Sequence, residues 1–144
     1  MASNRHLGRI IALQSLYEYD FRDTEKLDIK AITKRNIKQY HQVLEDTKFV
    51  YDLVQGVIKN QKKIDTIITP AAPEWPVEQI ARIDRVILRM AIYELSVKKD
   101  VPPKVVINEA VELAKSFGSE NSSKFINGVL GTVYRETTKP KKSK

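Results

Sequence analysis

The stretch Val101–Glu136, VPPKVVINEAVELAKSFGSENSSKFINGVLGTVYRE, reads as two helices with a polar turn between them. The first opens at Pro103, where a missing N–H costs little. Val106, Ile107, Ala110, Val111, Leu113, Ala114 and Phe117 then recur at helical spacing, and Gly118 stands at the position of a C-terminal cap. The turn Ser119–Ser123 supplies N-cap residues for the second helix, which buries Ile126, Val129, Leu130 and Val133. Phe125 falls at the edge of that apolar stripe, with Lys124, Gly128 and Thr132 on its flank. A ring so placed suits a stacking platform for an unpaired base and equally suits a core phenylalanine; spacing does not choose between them. For Gly128, which costs about 1 kcal/mol in a helix interior, the expected reason is close helix packing.

The same periodicity extends towards the N-terminus. Ile10, Leu13, Tyr17 and Phe21, widened by Leu16, mark a first helix broken near Asp23 and Thr24. A short helix is expected around Leu27–Thr33. Phe49, Val50, Leu53, Val54, Val57 and Ile58 give the apolar face of a long helix from about Gln39 to Asn60, with a kink or a new helix near Lys62. Pro70, Pro73 and Pro76 mark a connector, because helix interiors exclude proline. The next helix, about Pro76–Lys98, is rich enough in Ile, Leu, Met and Ala to be central. No segment shows strand alternation. The fold class is all-α.

A chain of 144 residues, 42% of them hydrophobic, is long enough to bury a substantial core. It has no apolar run of membrane-spanning length and no signal-like N-terminal segment. The absence of cysteine excludes disulfides and cysteine metal sites, and fits a cytoplasmic protein. Of the net charge of +7, Lys139, Lys141, Lys142 and Lys144 supply four units, so residues 139–144 read as a basic disordered tail.

The catalytic scan is blank: no phosphate-binding glycine loop, no metal-ligand spacing and no nucleophile elbow. His6 and His41 have no acid at an interpretable spacing. Arg5, His6 and Arg9 are different, because they place cations at the positive end of a helix dipole. Either solvent carries that cost or the three groups meet phosphates, which also suit the N–H groups of a helix start.

Several blocks, in order, resemble the NusB family. They are Gln14–Tyr17 after Arg9; Trp75 followed by Ile83–Leu95; and Val101–Lys104, Ile107–Ala110, Glu112–Lys115 and Lys124–Leu130. The resemblance spans roughly residues 5 to 136. It implies about seven helices in two packed subdomains of a domain 1–138, divided near residue 70 (about 1–70 and 71–138). It also implies a transcription antitermination factor that needs no cofactor. Such a factor binds boxA-like single-stranded RNA together with the ribosomal protein NusE and joins the RNA polymerase elongation complex with other Nus factors, notably on ribosomal RNA operons. By the same resemblance Arg5, His6 and Arg9 form one RNA-binding cluster, with His6 where arginine is usual, and Lys124, Phe125 and Asn127 form a second. Lys124 would neutralise phosphate, Phe125 would stack and Asn127 would read a base edge or sugar. Tyr17 and Asp84 would meet NusE, although Arg85 and Arg89 could instead pair with Asp84 internally. Gln79 stands where many relatives have arginine.

Two other readings remain open. NusB-like domains also precede the catalytic domain of some ribosomal RNA cytosine methyltransferases, and here such a module would need a separate catalytic subunit. A protein-interaction module without RNA binding would account for the thin N-terminal arginine content.

Overall fold

A computed structural model of the chain describes residues 2–22, 28–40 and 42–138. The calls on Asp23 and Thr24, His41, the start of the Leu27 helix and the 139–144 tail lie outside these residues. Seven α-helices carry the fold: α1 (Ala2–Arg22), α2 (Ile29–Lys38), α3 (Thr47–Lys59), α4 (Gln61–Ala71), α5 (Arg82–Ile92), α6 (Pro103–Phe117) and α7 (Ser122–Thr138). A 3₁₀ turn at Val77–Gln79 precedes α5, and α5 runs on as a π-helix over Tyr93–Lys98. Among the described residues there is no strand.

Helix α5 is the axis. Every residue from Asp84 to Ile92 is buried, because α1, α4, α6 and α7 all pack around it. Helices α1, α2 and α3 pack on one another, while α4 goes with α5 and α7. The apolar core is continuous through both groups, from Ile11, Leu13 and Val50 to Ile87, Leu113 and Leu130. Burying these side chains contributes about 1.5–3 kcal/mol each for the larger ones.

Several boundaries differ from the periodicity, each for a local reason. Helix α3 starts at Thr47, not near Gln39, because the Asp46 side chain caps it by accepting from the Phe49 amide. The new helix expected near Lys62 is α4, which begins at Gln61. Pro70 lies inside α4, in its last turn, and the helix ends one residue beyond it. Helix α5 begins at Arg82 rather than Pro76, after the 3₁₀ turn. Helix α2 extends to Lys38 because its buried side includes the polar residues Thr33 and Asn36. The Thr33 hydroxyl donates to the Ile29 carbonyl, and the Asn36 amide donates to Ser15 of α1 at 3.0 Å. Phe21 is 60% exposed instead of joining the α1 stripe.

Glycine sets two of the helix crossings. A Cβ on Gly8 would lie 2.9 Å from the Phe49 ring of α3. One on Gly56 would run into the ring of Tyr93. Gly118 closes α6 with extended backbone (φ −94°), not a left-handed cap. A Cβ there would sit 2.5 Å from Ser122 Oγ, which accepts from the Ser119 amide and seats the α6–α7 turn.

Candidate functional site

Helix α1 runs antiparallel to α5, so its first turns meet the far end of the axis. Arg9 is turned inward and is 4% exposed. Its Nε and Nη2 donate to the two carboxylate oxygens of Glu94, both at 2.9 Å, and Nη1 reaches Glu109 of α6 at 3.4 Å. Burial disfavours the Arg9 cation, but Glu94 and Glu109 outweigh it and hold its pKa above the ordinary guanidinium value. His6 Nδ1 lies 2.8 Å from Glu109 Oε1, an acidic partner 103 residues away that local spacing could not reveal. Arg5 is exposed, with its guanidinium 4.7 Å above the Phe49 ring. Two of these three N-terminal side chains therefore have acidic partners inside the fold.

At the opposite end of α5, Asp20 of α1 accepts from Arg82 Nε at 2.9 Å and Arg85 Nη2 at 2.8 Å, with Arg89 Nη1 at 3.6 Å. Arg89 also forms a two-point pair with Asp65 of α4, at 2.9 and 3.0 Å. Burial raises the Asp20 pKa, but hydrogen bonds from Arg85 and Arg82 and the charges of Arg85 and Arg89 bring it below the usual carboxylate range. Arg85 and Arg89 are thus engaged with Asp20 and Asp65 and do not pair with Asp84. Tyr17 stacks on Phe21 with centroids 6.1 Å apart, and Arg82 lies 5.1 Å over the Phe21 ring. An aromatic pair edged by arginine is therefore displayed on the α1 side of α5.

Asp84 follows Arg82 by about 200° around the helix and faces the other way. It borders a cleft of about 240 Å³ between the start of α7 and the segment leading into α5. Phe125, Ser122 and Asn121 line one wall; Trp75, Gln79 and Ile80 line the other. Phe125 is partly buried and packs against the core, so it is both a core contact and a cleft wall. Trp75 is 51% exposed. Lys124 and Asn127 are exposed on α7. Gly128 is exposed too, and a Cβ there would meet nothing within 4 Å. Close helix packing is therefore not its reason; it leaves bare helix backbone on the outer face beside Lys124.

The structure brings Phe125 and Asp84 to one cleft, with Lys124 and Asn127 exposed on the same helix as Phe125. His6 and Arg9 meet Glu109 and Glu94 instead, ten residues beyond Asp84 along the α5 axis in the case of Glu94. Sequence reasoning noticed Trp75 and Gln79 only as family markers. Their place in the cleft follows from the 3₁₀ turn, which carries no periodic signal. Glu94 and Glu109 were missed as ligands of Arg9 and His6; an acid inside an apolar run, as in Tyr93-Glu94-Leu95, was the available sign.

The sequence model of the NusB family matches residues 6–135. The chain is 45% identical to the transcription antitermination protein NusB of Dehalococcoides mccartyi, over 92% of this chain and 91% of that protein. It is 46% identical to the NusB of Chloroflexus aggregans, over 92% and 88%. Among solved structures, NusB of T. maritima superposes with a TM-score of 0.80 at 32% identity, covering 92% of this chain and 91% of that one. The antitermination factor NusB solved with NusE and double-stranded RNA superposes with a TM-score of 0.83 at 25% identity, covering 94% and 99%. The arrangement of α1–α7 about a buried α5, matched over nearly the whole length, makes this chain a member of the NusB family.

Proposed function

We propose that this protein is a cytoplasmic transcription antitermination factor that binds boxA-like single-stranded RNA jointly with NusE. The pair would join the RNA polymerase elongation complex with other Nus factors, notably on ribosomal RNA operons. The observation that carries the reading is the start of α7. There, exposed Lys124 and Asn127, open Gly128 and the half-buried Phe125 stand together, in a chain that superposes on a NusB solved with NusE and RNA. Lys124 supplies phosphate neutralisation, Phe125 a stacking face and Asn127 a donor and acceptor for a base edge or sugar. Gly128 lets a strand approach the helix backbone. Arg5 extends the path at the α1 end, and Tyr17 on Phe21 centres the face offered to NusE.

One observation favours a protein-interaction module without RNA binding: Arg9 and His6 are engaged with Glu94 and Glu109, which leaves Arg5 as the exposed member of the N-terminal cluster. Titration of a boxA-like oligonucleotide with and without NusE separates the readings. Binding that tightens with NusE and weakens with salt, at a log–log slope of about −0.7 per phosphate neutralised, supports RNA recognition. NusE binding with no RNA binding in either arm refutes it and leaves the interaction module.

A further inference from the structure

A second and larger cleft, of about 690 Å³, lies between α4, the π-helix and the last turns of α7. That volume falls within the range of about 300–1,000 Å³ usual for small-molecule sites. None of the residues assigned above to RNA or NusE lines it. Its walls are apolar: Ile67, Pro70 and Ala71 of α4, Leu95 of the π-helix and Val133 of α7. The hydroxyls on it are of two kinds. Those of Thr66, Thr132 and Thr137 are spent, since each donates to a carbonyl of its own helix. Ser96 differs: its Oγ is buried and has no hydrogen-bond partner, a rare state for a buried polar atom. No bond fixes its rotamer, so the hydroxyl can turn to an acceptor in the cleft.

The charge on the cleft is positive. Lys63 and Lys99 line it, and no ion pair among the described residues reaches either. Glu136, the acid on the same lining, is already engaged. Lys63 stands in the first turn of α4, which holds no acid, so the helix dipole adds to its pull on an anion. An occupant therefore brings an apolar body and an anionic head that accepts hydrogen bonds. A polypeptide strand meets this poorly. Its buried N–H and C=O groups need partners, and helix walls, which bond most of their own backbone internally, offer few. A hydrocarbon chain makes no such demand. The lysine-rich residues 139–144 of this chain would bring like charge.

We infer that this cleft binds a small amphipathic carboxylate of the medium-chain fatty-acid type. Its chain lies against Ile67, Leu95 and Val133; its head is drawn to Lys63 and Lys99 and accepts from Ser96 Oγ. The inference stands apart from the RNA-binding reading and uses none of its residues.

The test is titration calorimetry of the full chain with decanoate, hexanoate and decylamine, all kept below micelle formation. Decanoate is expected to saturate a single site. Decylamine, of the same length and opposite charge, binds roughly tenfold more weakly or worse. Each methylene between hexanoate and decanoate tightens binding about fourfold, as for a buried CH₂. Lys99 closes the π-helix in left-handed backbone (φ 61°), a conformation glycine adopts at no cost. Lys99→Gly therefore removes the ammonium without lowering the melting temperature, and weakens decanoate about two- to fivefold. Lys63→Met, also at an exposed position, and Ser96→Ala shift affinity in the same direction. Ala71→Phe fills the cleft and abolishes binding. Absence of decanoate saturation overturns the site. Equal affinity for decanoate and decylamine shows apolar adsorption only and overturns it too. Decanoate bound alike by the parent, Lys99→Gly and Lys63→Met, or bound by a normally melting Ala71→Phe, places the ligand elsewhere and overturns the cleft. Loss of NusE affinity in Lys99→Gly with decanoate affinity unchanged identifies a protein contact instead and overturns the assignment.

Discussion

Removing the Arg9 side chain tests whether the N-terminal helix is fastened from inside. In Arg9→Ala the Glu94 carboxylate, 4% exposed, loses both 2.9 Å donors. Breaking a buried pair on one side costs about 3–5 kcal/mol, because the surviving charge is left uncompensated. The weaker contact to Glu109 at 3.4 Å adds little, since that carboxylate is 23% exposed and keeps His6. For a chain of this size each kcal/mol shifts Tm by roughly 3 °C, so Arg9→Ala melts about 10–15 °C lower. The double variant Arg9→Met, Glu94→Leu removes both charges at similar volume and returns to within about 1 kcal/mol of the parent. Urea unfolding followed by circular dichroism, with the slope m checked for constancy, measures both. In the folded fraction, Arg9→Ala leaves the salt dependence of RNA binding unchanged, whereas Arg5→Ala lowers it. An Arg9→Ala cost below about 1 kcal/mol, or a double variant no better than the single, refutes the internal clamp.

Gly56→Ala drives a methyl into the Tyr93 ring and is expected to destabilise by about 1–3 kcal/mol, with Tyr93→Leu restoring part of the loss in thermal melts. Gly128→Ala, in open space, is expected to stabilise by about 0.5–1 kcal/mol while weakening RNA binding by crowding the backbone; unchanged RNA affinity would remove Gly128 from the strand path. Asp20 has a folded-state pKa below its unfolded value of about 3.9. It therefore contributes stability above that pH and loses it as pH falls through the depressed folded value. Asp20→Asn accordingly lowers Tm at neutral pH and converges with the parent in acid, and a gap constant down to the acid limit contradicts the assignment.

The all-α class and the placement of α5, α6 and α7 were legible in sequence because their apolar residues repeat at helical spacing and Pro103 and Gly118 mark ends. Helix α2 was only partly legible: Thr33 and Asn36 occupy its buried side and satisfy each other's surroundings through Ile29 and Ser15, which no hydrophobic pattern reports. The α3 start was hidden because Asp46 acts through a side-chain cap, and polar residues also fill ordinary helix surfaces. The outward placement of Lys124 and Asn127 follows from the α7 periodicity. The inward turn of Arg9 does not, because its partners lie 85 and 100 residues along the chain. Gly128 shows a third limit: glycine signals a need for space, and sequence does not say whether a neighbouring helix or an outside molecule requires it.

The clamp on Arg9 has a consequence for how the protein is born. During synthesis at about 5–20 residues per second, Arg9 leaves the ribosome long before Glu94 and Glu109 follow. For roughly 5–20 s the first helix exists without the carboxylates that neutralise it. Its arginine stays hydrated until then, since burying it alone is prohibitive. The nascent N-terminal half can gather α1, α2 and α3 around Leu13 and Val54, but the final seating of α1 waits for the segment that carries Glu94. A segment made late therefore completes the first helix, and only a chain synthesised at least through Glu94 can close this end of the fold.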